Sequence, residues 1–146
     1  MSHPSVTGED APATVAQLLA AAHARLERLT PEAAYAAMRG GAVLVDIRSN
    51  NQRASDGTVP GACFVSRNVL EWRMDPACAH RDPLLARPEA RQVLLCNEGY
   101  QSSLAAATLQ RCGLLHVTDV IGGFQAWRAA GLPVLPPGPR PVLASS

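Results

Sequence analysis

Neither sign of charge dominates this chain: thirteen basic residues face twelve acidic ones, a formal net charge of +1. Such a balance supplies no broad field of the kind that draws a protein to nucleic acid or to an anionic membrane. Long hydrophobic runs are also missing, and none approaches the ~20 residues of a membrane span. The opening stretch Met1 to Pro12 lacks the basic flank and apolar segment of a secretory signal, so a cytoplasmic protein is expected. Cysteine is scarce and scattered. Cys63, Cys78, Cys96 and Cys112 form no Cys-x-x-Cys pair, which speaks against a zinc ribbon or a thioredoxin-type couple. Without a secretory signal, structural disulfides are not expected either. Cys78 and His80 lie two apart but have no second ligand pair, so they read as surface-loop residues and no metal site is expected.

What is present is 146 residues, enough for one domain with a sizeable core. Met1 to Pro12 reads as disordered. Ala13 to Leu29 reads as an extra amphipathic helix, with Val15, Leu18, Leu19, Ala22, Leu26 and Leu29 on one stripe and Arg25, Glu27 and Arg28 off it. Thr30-Pro31 opens a second helix that Gly40-Gly41 ends. Ala42 to Val45 is apolar enough for a strand buried on both faces, and it runs into Asp46-Ile47-Arg48. Polar side chains at the carboxyl end of such a strand stand where open α/β sheets bind ligands. Ser49 to Gly61 reads as loop, Cys63 to Val65 as a short strand, and Asn68 with Glu71 as a capping box for a short helix. A long connection covers Asp75 to Pro88. After Val93 to Leu95 come a helix ended by Gly113, a strand around Val117 to Val120, and a last helix over Phe124 to Ala130. Leu135 to Ser146 carries four prolines, too many for a packed element. Strands alternating with helices predict an α/β domain with a mainly parallel central sheet flanked by helices.

The chemistry concentrates in one stretch. Val93-Leu94-Leu95 runs straight into Cys96, Asn97 to Gln101 follow, and a helical pattern begins at Ser102 or Ser103. A cysteine at a strand end, on a tight loop that opens a helix, sits among unpaired backbone N–H groups and near the positive end of a helix dipole. Those donors favour a thiolate, or an oxyanion beside it. Lowering a cysteine pKa from about 8.5 to about 7 requires roughly 2 kcal/mol. A helix terminus supplies about 0.3–1 kcal/mol, so several loop amides must carry the rest. Gly99 suits a cupped loop because it tolerates positive φ. A plain core cysteine at a strand end satisfies the same residues.

Five landmarks then stand in order: Leu44-Val45-Asp46-Ile47-Arg48, Val59-Pro60-Gly61-Ala62, the Cys96 loop, Gly122-Gly123-Phe124-Gln125-Ala126-Trp127, and Gly131-Leu132-Pro133-Val134. Together they resemble the single-domain rhodanese family, the thiosulfate sulfurtransferases, over residues 30–134. The resemblance implies a rhodanese-like fold, with helices on both faces of the sheet. It also implies a catalytic cysteine, here Cys96, that takes sulfane sulfur from a donor as a persulfide and passes it to a thiol or cyanide. Asn97, Glu98, Gly99, Tyr100, Gln101 and Ser102 would form the substrate loop, with Asp46 and Arg48 as an ion pair bracing it. Gly122, Gly123 and Trp127 would be architectural. No metal or organic cofactor is implied. The partners would be a small-molecule sulfur donor, its acceptor and a sulfur-acceptor protein, with neither nucleic acid nor membrane among them.

Departures from the family pattern fall in the loop. Gln101 stands where thiosulfate-using members often carry arginine, Glu98 puts an acid beside an expected anion site, and Thr58 replaces a frequent histidine. An inward-facing Glu98 would cost a thiosulfate dianion up to a few kcal/mol, and a solvent-facing one under about 1 kcal/mol. A related phosphatase branch needs a loop one residue longer ending in arginine, where this chain has Ser102. Two readings compete with sulfur transfer. One is a non-catalytic binding or regulatory module that docks through the Cys96 loop or the Val15–Leu26 stripe. The other is redox sensing by Cys96, with Cys63 or Cys78 as resolving thiol.

Overall fold

The computed structural model describes residues 11–137, so most of the expected disordered start and of the proline-rich tail lies outside the described residues. The apolar runs Val43–Asp46 (β1) and Gln92–Leu95 (β3) pair in parallel as the two central strands. Cys63–Phe64 (β2) and Thr118–Asp119 (β4) flank them, giving an all-parallel sheet of order β2-β1-β3-β4. Alternation along each strand sends successive side chains to opposite cores. Val45 and Leu94 enter one core, with Leu70 and Met74 of α4 (Leu70–Met74) and Ala105, Ala106 and Leu109 of α5 (Gln101–Arg111). Leu44, Val93 and Leu95 enter the other, with Ala34 of α2 (Pro31–Arg39) and Phe124 and Trp127 of α6 (Gly123–Ala129). The sheet is therefore covered on both faces, which parallel strands require. Buried Gln92 ties down the long connection before β3, its side-chain amide donating to the carbonyls of Leu85 and Arg87.

Local structure departs from the sequence expectations in four places. The first helix, α1, covers only Val15–Arg25, capped by a Thr14–Gln17 box, and Leu26 is extended. Only Ala22 of α1 is buried, whereas Val15 and Leu18 are exposed. Leaving the helix lets the backbone join the sheet: the Leu29 N–H donates to the Asp119 carbonyl, and the Leu29 carbonyl accepts from Ile121. The expected loop after Arg48 contains α3 (Asn50–Asp56), opened by a Ser49–Gln52 capping box. None of its residues is buried, so it has no hydrophobic period to betray it. Ahead of α4, Ser66 rather than Asn68 caps a 3-10 turn, and Glu71 pairs with Arg67 instead of closing a box. Leu135, read as the start of an unpacked tail, pairs with Thr58 through two backbone hydrogen bonds.

Candidate active site

Cys96 follows β3 directly and is only 2% exposed, with its side chain among the α5-side core residues. Its sulfur is nevertheless met by polar groups. The Gly99 N–H points at Sγ from 3.1 Å, and the Ser102 hydroxyl lies 3.1 Å away on the first turn of α5. This is one amide where the loop argument asked for several, with a hydroxyl as the second partner. Gly99 reaches this position at φ +88, and a Cβ there would lie 2.7 Å from the Gly122 nitrogen. Gly123 packs equally close, since its Cβ would meet the Cys96 carbonyl at 2.5 Å. Both glycines are thus required by close backbone approach, and the Phe124 and Gln125 N–H groups donate to the carbonyls of Cys96 and Asn97 from the start of α6.

The remaining loop residues divide between anchor and solvent. Asn97 is half-buried and accepts a hydrogen bond from the Gln125 side chain, which also donates to Asp56. Glu98, Tyr100 and Gln101 are exposed, and Gln101 already belongs to α5. Exposure of Glu98 selects the smaller of the two penalties for an anionic donor.

Asp46 and Arg48 form the expected ion pair, fully buried, with Nη2 2.8 Å from Oδ2. Register places it away from the sulfur. Asp46 aligns with Leu95 and so shares its face, opposite to that of Cys96. Arg48 donates to the Gly57 carbonyl and lies 3.8 Å from the centre of the Phe124 ring. Among the described residues neither side chain bonds to residues 97–101, and any bracing of the loop runs through Phe124.

A second polar cluster sits behind the loop, and sequence reasoning missed it. Fully buried Asp119, at the end of β4, accepts hydrogen bonds from the Ser102 and Ser103 hydroxyls, each at 2.7 Å. Arg28 donates to both of its oxygens and to the Gly99 carbonyl. His23 Nε2 lies 3.1 Å from the Ser103 hydroxyl. The rule that singled out Asp46, a polar side chain ending a buried strand, singles out Asp119 equally well. Arg28 had no such signal, because its partner lies 91 residues away.

All four cysteines are free. Burial, and then the Asp75 and Glu71 carboxylates, push the Cys112 thiol up against the opposing effect of Arg111. Among the described residues no group of three or more His, Cys, Asp or Glu side chains could hold a metal, and no helix is long and apolar enough to cross a membrane.

Comparison with known proteins places this arrangement in context. Residues 30–130 match the family model of the rhodanese-like domain. The thiosulfate sulfurtransferase GlpE of Haemophilus influenzae is 29% identical over 108 residues, which cover 74% of this chain and 93% of that protein. The protein of the same name from Stutzerimonas stutzeri is 33% identical over 70% of this chain and 84% of its own length. Among solved structures, a protein of unknown function from Rhodopseudomonas palustris, described as a possible tyrosine phosphatase, gives a TM-score of 0.78 at 33% identity, covering 88% of this chain and 99% of that one. The polysulfide-sulfur transferase homodimer of Wolinella succinogenes gives 0.64 at 29% identity over 82% of this chain and 85% of its own.

Proposed function

Because the chain belongs to the rhodanese family, we propose that it is a sulfurtransferase whose nucleophile is Cys96. The Cys96 thiolate attacks the outer sulfur of a sulfane donor. A new S–S bond forms, the donor's own S–S bond breaks, and the donor's remainder leaves with the electron pair (sulfite, where thiosulfate is the donor). An acceptor thiolate or cyanide then attacks the outer sulfur of the persulfide and returns Cys96 as thiolate. No net oxidation of the protein occurs. A covalent carrier divides one transfer into two displacements, each needing a soft anionic sulfur in a fixed place.

The observation that supports this reading best is the Gly99 N–H aimed at Cys96 Sγ from a loop that turns through positive φ at Gly99. Charge-assisted bonds of that kind strengthen as the sulfur becomes an anion. Phosphoryl transfer fits less well. The position that would need arginine holds Ser102, which is buried and bonded to the Asp119 carboxylate. A phosphate dianion placed there would meet a neutral hydroxyl in place of a guanidinium.

Intact-mass measurement after incubation with thiosulfate, a persulfide or an organic polysulfide tests the proposal. The expected result is a gain of one sulfur atom with at least one donor, absent in Cys96→Ser. No adduct with any donor across a pH series would remove the reading.

A further inference from the structure

We infer that the ion pair between Arg28 and Asp119 tunes the ionisation of Cys96, so that the segment ahead of the family-matched span is a working part of the site. The inference rests on Cys96 being the nucleophile. Asp119 is fully buried, and one shared hydroxyl joins it to the sulfur: Ser102 Oγ lies 2.7 Å from Asp119 Oδ2 and 3.1 Å from Cys96 Sγ. A serine hydroxyl has a single proton to donate. While Cys96 is a thiol, its S–H can donate to Ser102 and the Ser102 proton goes to Asp119. Once the sulfur is an anion, the same proton is its nearest hydroxyl donor, and Asp119 must release it. Arg28 makes that release tolerable, because its Nε and Nη2 stay on the carboxylate at 2.8 and 3.2 Å. The guanidinium also offsets a negative charge that would otherwise oppose the thiolate. A further bond from Nη2, to the Gly99 carbonyl at 3.0 Å, holds the residue whose N–H faces the sulfur.

The other charged and titratable groups around the loop stand farther back. His23 is exposed and reaches Asp119 only through the Ser103 hydroxyl, and Glu98 and Tyr100 are exposed. Asp56 and Arg128 act on the Gln125 side chain beside Asn97. Asp46 and Arg48 lie toward Phe124 on the opposite face. Arg28 and Asp119 are therefore positioning residues for this sulfur. Arg28 precedes residues 30–130, which carry the family match, and among the described residues it is the cation that forms a salt bridge with Asp119.

The test is the pH profile of Cys96 alkylation by iodoacetamide in the full chain, read by mass spectrometry of the Cys96 peptide, with urea unfolding of each variant alongside. Arg28→Met leaves the carboxylate uncompensated and should move the profile's midpoint up by about one pH unit. Asp119→Asn leaves the cation uncompensated and should move it down by a similar amount. The double variant should return close to the parent, and Arg28→Lys should fall between parent and Arg28→Met. Opposite movements are the signature, because loosening the loop would shift both single variants in one direction. Single variants moving the same way, or neither moving while both stay folded, would overturn the inference. Alkylation needs no sulfur donor, so an absent persulfide would count against the sulfurtransferase reading and leave this test standing.

Discussion

At the scale of single residues, the proposed transfer through Cys96 turns on the charges its loop offers a donor. A thiosulfate dianion needs a cation at the mouth of the loop, and the chain offers Gln101 there, exposed at the first turn of α5. Replacing Gln101 with arginine should raise kcat/KM for thiosulfate with cyanide about tenfold, the worth of roughly 1.4 kcal/mol of charge pairing. Steady-state kinetics checks this, and unchanged or worse turnover would show that the missing cation is not what limits thiosulfate. Gly99 shows how little freedom the loop has. Positive φ and a neighbouring backbone nitrogen leave no room for a side chain, so its place was readable from the need for a cupped turn. The chain's second requirement, that the sulfur meet polar groups although buried, was only half readable. Gly99 was foreseen as a loop residue, but the Ser102 hydroxyl as a partner of Sγ was not.

At the scale of elements, the end of β1 carries the clearest energetic consequence. Asp46 and Arg48 are both buried, and a buried pair is costly to break, although Arg53 Nε at 3.6 Å from Asp46 Oδ2 keeps part of the carboxylate's charge compensated. Arg48→Met should lower stability by about 2–3 kcal/mol in urea unfolding, below the full cost of an orphaned buried charge because Arg53 stays on Asp46. Removing both charges as Asp46→Leu with Arg48→Met should recover a large part of that loss, the outcome that separates an orphaned charge from lost packing. The pair was expected from the family resemblance, whose first landmark holds both members at a strand end. The connection after α1 was not. Leu26, Leu29 and the α1 stripe fit one continuous helix by period, yet the chain leaves the helix at Leu26 so that Leu29 can pair beside Val120. Backbone groups at the end of β4 needed partners, and that need outweighed helical propensity.

For the whole molecule, stability comes from two cores divided by one sheet. Trp127 is fully buried in the α2–α6 core, where its indole N–H donates to the Pro133 carbonyl and its ring meets Tyr35 edge-on at 5.8 Å. Trp127→Ala should cost about 3–5 kcal/mol, measured as a shift in the urea midpoint at unchanged slope. A loss below about 1 kcal/mol would mean that this layer repacks around the gap.

A family resemblance implied the Asp46–Arg48 pair; read alone, the chain determined its fold class, its central strands and the Cys96 loop. Each is written in contiguous residues, as an apolar run, a turn glycine or a polar strand end, and short-range sterics and burial suffice to interpret them. Tertiary structure alone decided that Asp46 and Arg48 face away from the sulfur, that Glu98 faces solvent, and that Arg28 reaches Asp119 and Gly99. Those facts depend on which face a strand register exposes and on side chains brought together from distant parts of the chain. No local period records such distances, because chain closure over that many residues leaves no trace in the order of neighbours.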